Sequence, residues 1–500
     1  MTDLFDKRIA RALFLSLWAL YACIGPGISS INVNTISRIG LTFSIVERGT
    51  LDIDPIASYT IDKAEFGGHT YLDKAPGLSF MAAPAVAVIH ALFTRAGLTT
   101  VPVQGESFSI FYLLSVWAGV VCSTALFTAA ATAMMYRLAR HLGGGRGAAL
   151  FAALGFALAT PAFGWATTFF GHGVAGACLF MGFASMVLAS DPAPRRHERR
   201  LACLAGALLA WSVVVEYTSA PAMLVIAAAG CWRLHRMPWV RSRWLLGAAF
   251  AGGLLAALPL AIYNLLAFGS VAHVGYSDVV GFDGMQAGLF GISLPRAHVA
   301  FALLGGVRRG ILWIAPILLV TPLAWIAAWR RFGPALALAL AAIPIVYLLI
   351  NSGYAYWDGG QSTGPRHMTP MLPFIGLALA PLWQSAGTRG RAGLLALGGV
   401  SGALSLMCAT TMMTCPWVYA GAPVQNELTD FVLPAFLHGG VHDLLAPVGQ
   451  GSVASLCGLV APVLIGLAAS RVVRSMRQPD SDGTAPALGA ASFVSALGKL

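Results

Sequence analysis

The sequence predicts an all-α integral-membrane protein, a bundle of about 12–13 transmembrane helices with interfacial helices in its first outer loop. Three observations predict it. Of 500 residues, 57% are hydrophobic and only 10% are charged, against about 25% charged in a soluble globular chain. Mean hydropathy is +0.75. The basic residues come in short bursts between long apolar stretches, the pattern of cytoplasmic loops in a multi-pass protein.

Candidate spans, taken in order, are Ala12–Ser30, Phe108–Tyr136, Gly147–Trp165, Gly173–Ser190, Leu201–Thr218 and Ser219–Trp232. They continue with Leu245–Leu266, Ile311–Trp329, Pro334–Ile350, Thr369–Ala386, Ala392–Met413 and Ser452–Ser470. Each approaches the roughly 20 apolar residues that a crossing helix needs. From Arg137 onward the basic loops alternate cleanly with these helices, through Arg195–Arg200, Arg233–Arg243, Arg330–Arg331, Arg389–Arg391 and Arg471–Arg477. Parity with the basic N-terminus (Lys7, Arg8, Arg11) holds only if one more apolar segment, Leu78–Phe93 with Pro84 and His90, lies at the interface rather than crossing. The alternative is a true crossing with the N-terminus outside. The N-terminal run has no small-residue cleavage site and is expected to be an uncleaved first helix.

The expected organisation is a membrane domain over residues 1–470 and a cytoplasmic, disordered tail over 471–500. Within the membrane domain, residues 31–106 form the first outer loop and 351–368 an outer binding loop. Nearly every polar stretch that is not simply basic falls outside (Asn32–Lys74, Thr167–His172, Ser270–Arg296, Asn351–His367 and Gln425–Asp443), so any chemistry belongs to the extracytoplasmic face of a cell inner membrane. The net charge of +11 does not indicate nucleic acid, because the Lys and Arg gather on no single arm or face with interleaved aromatics. The eight cysteines have no paired spacing for zinc or disulfides. Walker, dinucleotide, HExxH and CxxC patterns are missing as well.

The first outer loop carries most of the candidate chemistry. Ile36–Val46 has apolar residues at helical spacing and is expected to lie along the membrane surface. Beyond it, Asp52, Asp54, Asp62, Glu65 and Asp73 are carboxylates able to receive a proton from an acceptor hydroxyl, and spacing does not choose among them. Lys74, placed just before the apolar segment, suits a lipid phosphate. The plainer reading is a lysine whose stem runs along a membrane edge. A second group, Tyr354 to His367, offers Tyr356, Trp357, Asp358 and Gln361 as a sugar platform. In the same run Arg366 can contact phosphate through two nitrogens. The blander alternative there is a tight turn anchored at headgroups. His172 and the Glu216-Tyr217 pair lie at outer helix ends, where an acid near the membrane is a functional candidate by default. Arg308-Arg309 breaks the positive-inside trend and could attract an anionic group.

Taken together, Ser37-Arg38, Glu47-Arg48-Gly49-Thr50, Ile53-Asp54, Asp62-Lys63, Gly68-His69 and Asp73-Lys74-Ala75-Pro76-Gly77 resemble bacterial polyprenyl-phosphate-dependent glycosyltransferases of the GT-C type. These are relatives of protein O-mannosyltransferases and lipid A aminoarabinose transferases. The resemblance continues in Thr168–His172, Glu216-Tyr217, Tyr263-Asn264 with Phe268-Gly269-Ser270, Arg309-Gly310 and Gly359–Arg366. It covers about the first three-quarters of the chain by helix order, and the Asp-Lys-Ala-Pro-Gly run is its most specific element. It implies that Lys74 holds the carrier phosphate, with Arg38 matching the family's early arginine. Where relatives carry an aspartate just ahead of that arginine, this chain has Asn32 and Asn34. The base then falls to Asp54 first and Asp62 second.

The resulting expectation is a glycosyltransferase taking a sugar from a polyprenyl-phosphate donor. Lys74, Arg38 and Arg366 would bind the carrier phosphate, and Tyr356, Trp357, Asp358, Gln361, His172 and Glu216 the sugar or acceptor. The acceptor would be a lipid, glycan or protein, with membrane lipids as the other partners. No cofactor or divalent metal is expected, because cationic side chains can neutralise the leaving group. The rival is a transporter or flippase of lipid-linked sugar, which would need polar groups and broken helices near the bilayer midplane.

Overall fold

A computed structural model describes residues 2–25, 27–101, 103–104, 107–193, 197–414, 426–443 and 459–475. Its α-helices are α1 (Thr2–Ile24), α2 (Val33–Phe43), α3 (Gly77–Arg95), α4 (Ile110–Val120), α5 (Leu126–His141), α6 (Arg146–Leu158), α7 (Ala162–Ala166), α8 (Gly171–Ala189), α9 (Glu198–Val215) and α10 (Ala220–His235). There follow α11 (Trp239–Phe268), α12 (Ala297–Leu304), α13 (Ile311–Ile314), α14 (Thr321–Phe332), α15 (Pro334–Gly353), α16 (Leu372–Ser385), α17 (Thr388–Thr410), α18 (Leu433–Leu437) and α19 (Val460–Ser475). A small antiparallel hairpin, β1 (Ala64–Phe66) and β2 (His69–Tyr71), projects from the first loop. Its turn uses Gly67 and Gly68 at φ 61° and 86°, conformations that cost a side-chain-bearing residue.

Six helices among the described residues are long and apolar enough to cross a membrane: Gly77–Arg95, Ile110–His141, Gly171–Ala189, Trp239–Phe268, Pro334–Gly353 and Thr388–Thr410. The chain is a multi-pass membrane protein. Ile110–His141 is continuous because a π-helical turn at Val121–Ala125 joins α4 to α5. Three expected spans are interrupted, each at proline. Thr160-Pro161 separates α6 from α7. Pro316 opens a 3-10 turn between α13 and α14, so Ile311–Trp329 is not one helix. Arg366–Met371 forms a 3-10 turn before the 14-residue α16. Proline lacks the amide proton and disfavours helical backbone in the residue before it.

One expectation for the first loop is revised, and a second is described further. The helix expected at Ile36–Val46 forms as α2, but Asn34 to Phe43 are all buried, so it threads the protein interior instead of lying on the membrane surface. Leu78–Phe93, assigned to the interface by charge parity, belongs to the 19-residue α3, whose length and composition suffice for a crossing. At the far end α19 extends through Ser475 and packs on α1. The tail from 476, and the part of the last expected span before 459, lie outside the described residues.

Candidate active site

Three segments converge on one cavity of about 380 Å³: the first loop, the α9–α10 junction and the loop after α15. Local chemistry sets each of them. Asn32 caps α2, its side chain accepting from the Asn34 amide at 3.0 Å. The same Asn32 donates through Nδ2 to Gln361 Oε1 at 3.1 Å, tying the first loop to the second. Thr60 donates to the Val33 carbonyl at 2.8 Å and accepts from the Asp62 amide at 3.0 Å, which seats Asp62 beside α2.

Lys74 Nζ lies 2.8 Å from Asp62 Oδ2 and 2.8 Å from Asp73 Oδ2, with all three side chains nearly buried. The two carboxylates diverge. Burial pushes Asp62 up, but Lys74, Arg366 and Arg38 outweigh it and hold its carboxyl below the ordinary value. Burial dominates at Asp73 and, with the Asp62 charge, raises it despite Lys74. Two acids sharing one ammonium and pushed apart in acidity mark a candidate acid–base site.

Behind them, Arg38 is 1% exposed and bonded through all three of its nitrogens. Its Nε donates to Asn34 Oδ1 at 3.0 Å, Nη1 to the Ala75 carbonyl at 3.4 Å and Nη2 to Glu216 Oε1 at 2.5 Å. Glu216 caps the C-terminus of α9 in extended backbone, and His172 Nδ1 lies 3.8 Å from the same oxygen. Two glycines permit this packing. A Cβ on Gly77 would stand 2.5 Å from the Val214 carbonyl oxygen, and one on Gly171 would stand 2.3 Å from Glu216 Oε1.

The third wall is the loop from Tyr354 to His367, turned by Gly359, Gly360 and Gly364 at φ 71°, 62° and 70°. Arg309 Nη1 donates to the Ser362 carbonyl and Nη2 to that of Gly360, while Glu427 pairs with Arg309 at 3.2 Å and Arg308 at 3.5 Å. Arg309 is thus a buried clamp on this loop, not a free anion site. The Arg366 guanidinium lies over the Phe170 ring at 5.4 Å, and His367 meets His172 with ring centroids 5.1 Å apart. Burial, then Arg366 and His172, hold His367 well below the usual imidazole range. It is neutral at pH 7.

Asp62, Lys74, Arg38, Arg366, Tyr356, Asp358, Gln361, His172 and Glu216 all line the cavity. Asp54 does not. Its carboxylate joins His69 Nδ1 at 2.8 Å and the Thr70 amide at 2.6 Å, fastening the Asp54–Tyr59 turn to β2, and it is 41% exposed. Trp357 is also absent from the lining and packs against the main core. Tyr276, Asn351 and Tyr347 join the cavity without having been singled out. Tyr276 sits in the stretch Ser270–Arg296, where polar character was visible in the sequence but no spacing marked it. The far wall is apolar, with Phe282, Met285, Leu289 and Phe290.

No protein-family profile matches the chain, and no curated protein matches it either. Among solved structures, ArnT from Cupriavidus metallidurans bound to undecaprenyl phosphate superposes with a TM-score of 0.52 and 16% identity, covering 94% of this chain and 75% of that one. The chain has the GT-C fold. Apo ArnT from the same organism gives 0.48, with 16% identity over 94% and 74%. The archaeal oligosaccharyltransferase AglB from Archaeoglobus fulgidus, in complex with an inhibitory peptide and a dolichol-phosphate, gives 0.43, with 11% identity over 83% and 58%. The GT-C resemblance carried by the first-loop motifs thus agrees with the architecture of the whole described chain.

Proposed function

We propose that this chain is an integral-membrane glycosyltransferase that moves a sugar from a polyprenyl-phosphate donor to a hydroxyl of a lipid, glycan or protein acceptor, on the extracytoplasmic face. The observation that carries this reading is the meeting of Lys74 and Arg366 with Asp62 in one cavity that has an apolar wall. Cations suit a phosphate leaving group, a carboxylate suits an acceptor proton, and apolar residues suit a prenyl chain.

The reaction is a single displacement. The acceptor oxygen forms a bond to the anomeric carbon as the bond from that carbon to the phosphate oxygen breaks. The electron pair leaves with the phosphate, which Lys74 and Arg366 stabilise as its charge develops. Asp62, ionised at neutral pH, takes the acceptor proton. Asp62 replaces Asp54 as first choice because only Asp62 lines the cavity. Arg38 uses three of its five N–H donors on Asn34, Ala75 and Glu216, so it positions the site while adding positive field beside the carrier phosphate. Tyr356, Asp358 and Gln361 hold the sugar, and His172 and Glu216 border it.

The test is transfer of radiolabelled sugar from a panel of polyprenyl-phosphate sugars to native lipid extract, with the purified protein in nanodiscs. Transfer that collapses in Lys74→Ala and Asp62→Asn supports the reading. Proteoliposomes that move labelled lipid-linked sugar between leaflets, with no transfer from any donor, would replace it with the flippase.

A further inference from the structure

A second cavity, of about 340 Å³, lies between α8, α10 and α15, away from the site above. Its wall is apolar, with Phe183, Val187, Ile226 and Leu336, and Trp232 and Arg233 complete the lining. Arg233 is the one charged residue among those that line it. Ser190 Oγ accepts from Arg233 Nε at 2.8 Å and fixes the guanidinium. Among the described residues its two Nη groups donate to no acceptor. The nearest acid acting on it, Asp191, is itself paired with His141 at 3.4 Å.

The surroundings match the cavity in chemistry. Trp232 is 56% exposed, and the Arg236 guanidinium covers its ring at 4.9 Å. Arg330 and Arg331 close α14 immediately before α15 begins at Pro334. This is an arginine-rich end of the bundle, where amphipathic tryptophan rings and basic side chains favour the headgroup layer. A slot lined by alkyl and aromatic side chains, with a fixed guanidinium and an indole among them, has the complementarity of a lipid with one anionic phosphate.

We propose that this cavity is a binding site for an anionic glycerophospholipid of the leaflet at the basic end of the bundle, with an acyl chain in the slot and the phosphate on Arg233 and Arg236. Charge complementarity selects this occupant over a zwitterionic lipid. Phosphatidylcholine carries its own ammonium beside the phosphate and gains less from two guanidinium groups. The two cavities share no lining residue, so the site is separate from donor binding and holds whether or not the transferase reading does.

The experiment uses the full chain in nanodiscs of equimolar phosphatidylglycerol and phosphatidylcholine. Lipids retained after transfer to detergent are then counted by native mass spectrometry. Wild type is expected to retain phosphatidylglycerol about tenfold over phosphatidylcholine, the size of a single charge-assisted hydrogen bond. Arg233→Gln is expected to lose that preference. Ala339→Phe, which fills the slot from α15, is expected to lose the retained lipid of either kind while keeping the wild-type Tm. Equal retention of the two lipids by wild type, or an undiminished preference in Arg233→Gln, overturns the proposal. Displacement of phosphatidylglycerol by substoichiometric undecaprenyl phosphate also overturns it and makes the slot a carrier site.

Discussion

Asp62 lies 2.8 Å from Lys74 in a nearly buried pair, so an ammonium and a carboxylate of the cavity are already matched to each other. Asp73 contacts the same ammonium at 2.8 Å. Their different environments give a way to tell which one takes the proton. A base works only while ionised, so its activity falls as pH drops through its pKa. Asp62 is held below the ordinary carboxylate value of about 3.9, and Asp73 is raised above it. The acid limb of kcat/KM is expected below that value, and Asp62→Asn is expected to lose about 10²- to 10⁴-fold in rate. An acid limb well above it, together with a mild Asp62→Asn, would transfer the role to Asp73.

The same shifts predict stability. Asp62 has a depressed folded pKa, so its contribution is present above the unfolded pKa and lost as pH falls through the folded one. Asp73 has a raised folded pKa, so its contribution is full at low pH and lost as pH rises through that value. As pH rises Asp73 therefore weighs increasingly against folding. Asp73→Asn is expected to raise the Tm at pH 7 and to leave it unchanged at pH 3, whereas Asp62→Asn lowers it at pH 7.

Much of this site was legible in the sequence because its residues are close neighbours in the chain. Asp73-Lys74-Ala75-Pro76-Gly77 stood out by its resemblance to GT-C glycosyltransferases and Gly359–Arg366 by its glycines and polar side chains beside aromatics, and both line or border the cavity. Asp54 was misplaced for a definite reason. It and Asp62 share one loop, and only the hairpin fastened by His69 and Thr70 turns Asp54 outward. That turn depends on pairing between β1 and β2, which carboxylate spacing does not encode. Glu427, more than a hundred residues from Arg309, is likewise a partner made only by the fold. The interrupted helices were hidden because hydropathy averages across a proline such as Pro316 without registering the break.

Arg38 and Glu216 form a pair 1% and 3% exposed. Removing one partner strands the other charge in the interior, at a cost of about 3–5 kcal/mol. Glu216→Gln keeps the shape and an acceptor oxygen, so about 3 kcal/mol is expected, read as a lowered Tm. Arg38→Met combined with Glu216→Gln is expected to regain much of that stability while activity stays low, since Arg38 also holds Asn34 and Ala75. A double variant no more stable than Glu216→Gln alone would mean that those two bonds carry the stability.

Gly77 ends the most specific motif, and its role is steric. The 2.5 Å approach of an added Cβ to the Val214 carbonyl meets backbone, which cannot rotate away. Gly77→Ala is expected to cost about 1–3 kcal/mol through overpacking and to reduce kcat/KM by shifting Lys74 relative to Glu216. Gly67→Ala is the contrast: its φ of 61° is strained, but nothing lies within 4 Å of the added Cβ. It is expected to cost about 1–2 kcal/mol with kcat/KM unchanged, and equal activity losses in the two would refute the steric account.

Arg309 shows how a residue outside the cavity wall sets its shape. It donates to the carbonyls of Ser362 and Gly360, which flank Gln361, and Gln361 in turn accepts from Asn32. Arg309→Ala leaves those carbonyls and the buried Glu427 without its guanidinium, at about 1–3 kcal/mol for each unsatisfied group. Because Gln361 and Arg366 ride on the released loop, substrate binding suffers before the chemistry at Asp62 does. KM for the lipid-linked donor is therefore expected to rise about tenfold with a smaller change in kcat, an effect of about 1.4 kcal/mol. Arg309→Lys keeps the charge opposite Glu427 but supplies a single point of donation in place of a fork, so it should restore stability more fully than KM. If kcat fell instead, with KM unchanged, Arg309 would be acting on the transition state, and the clamp would be the wrong account of it.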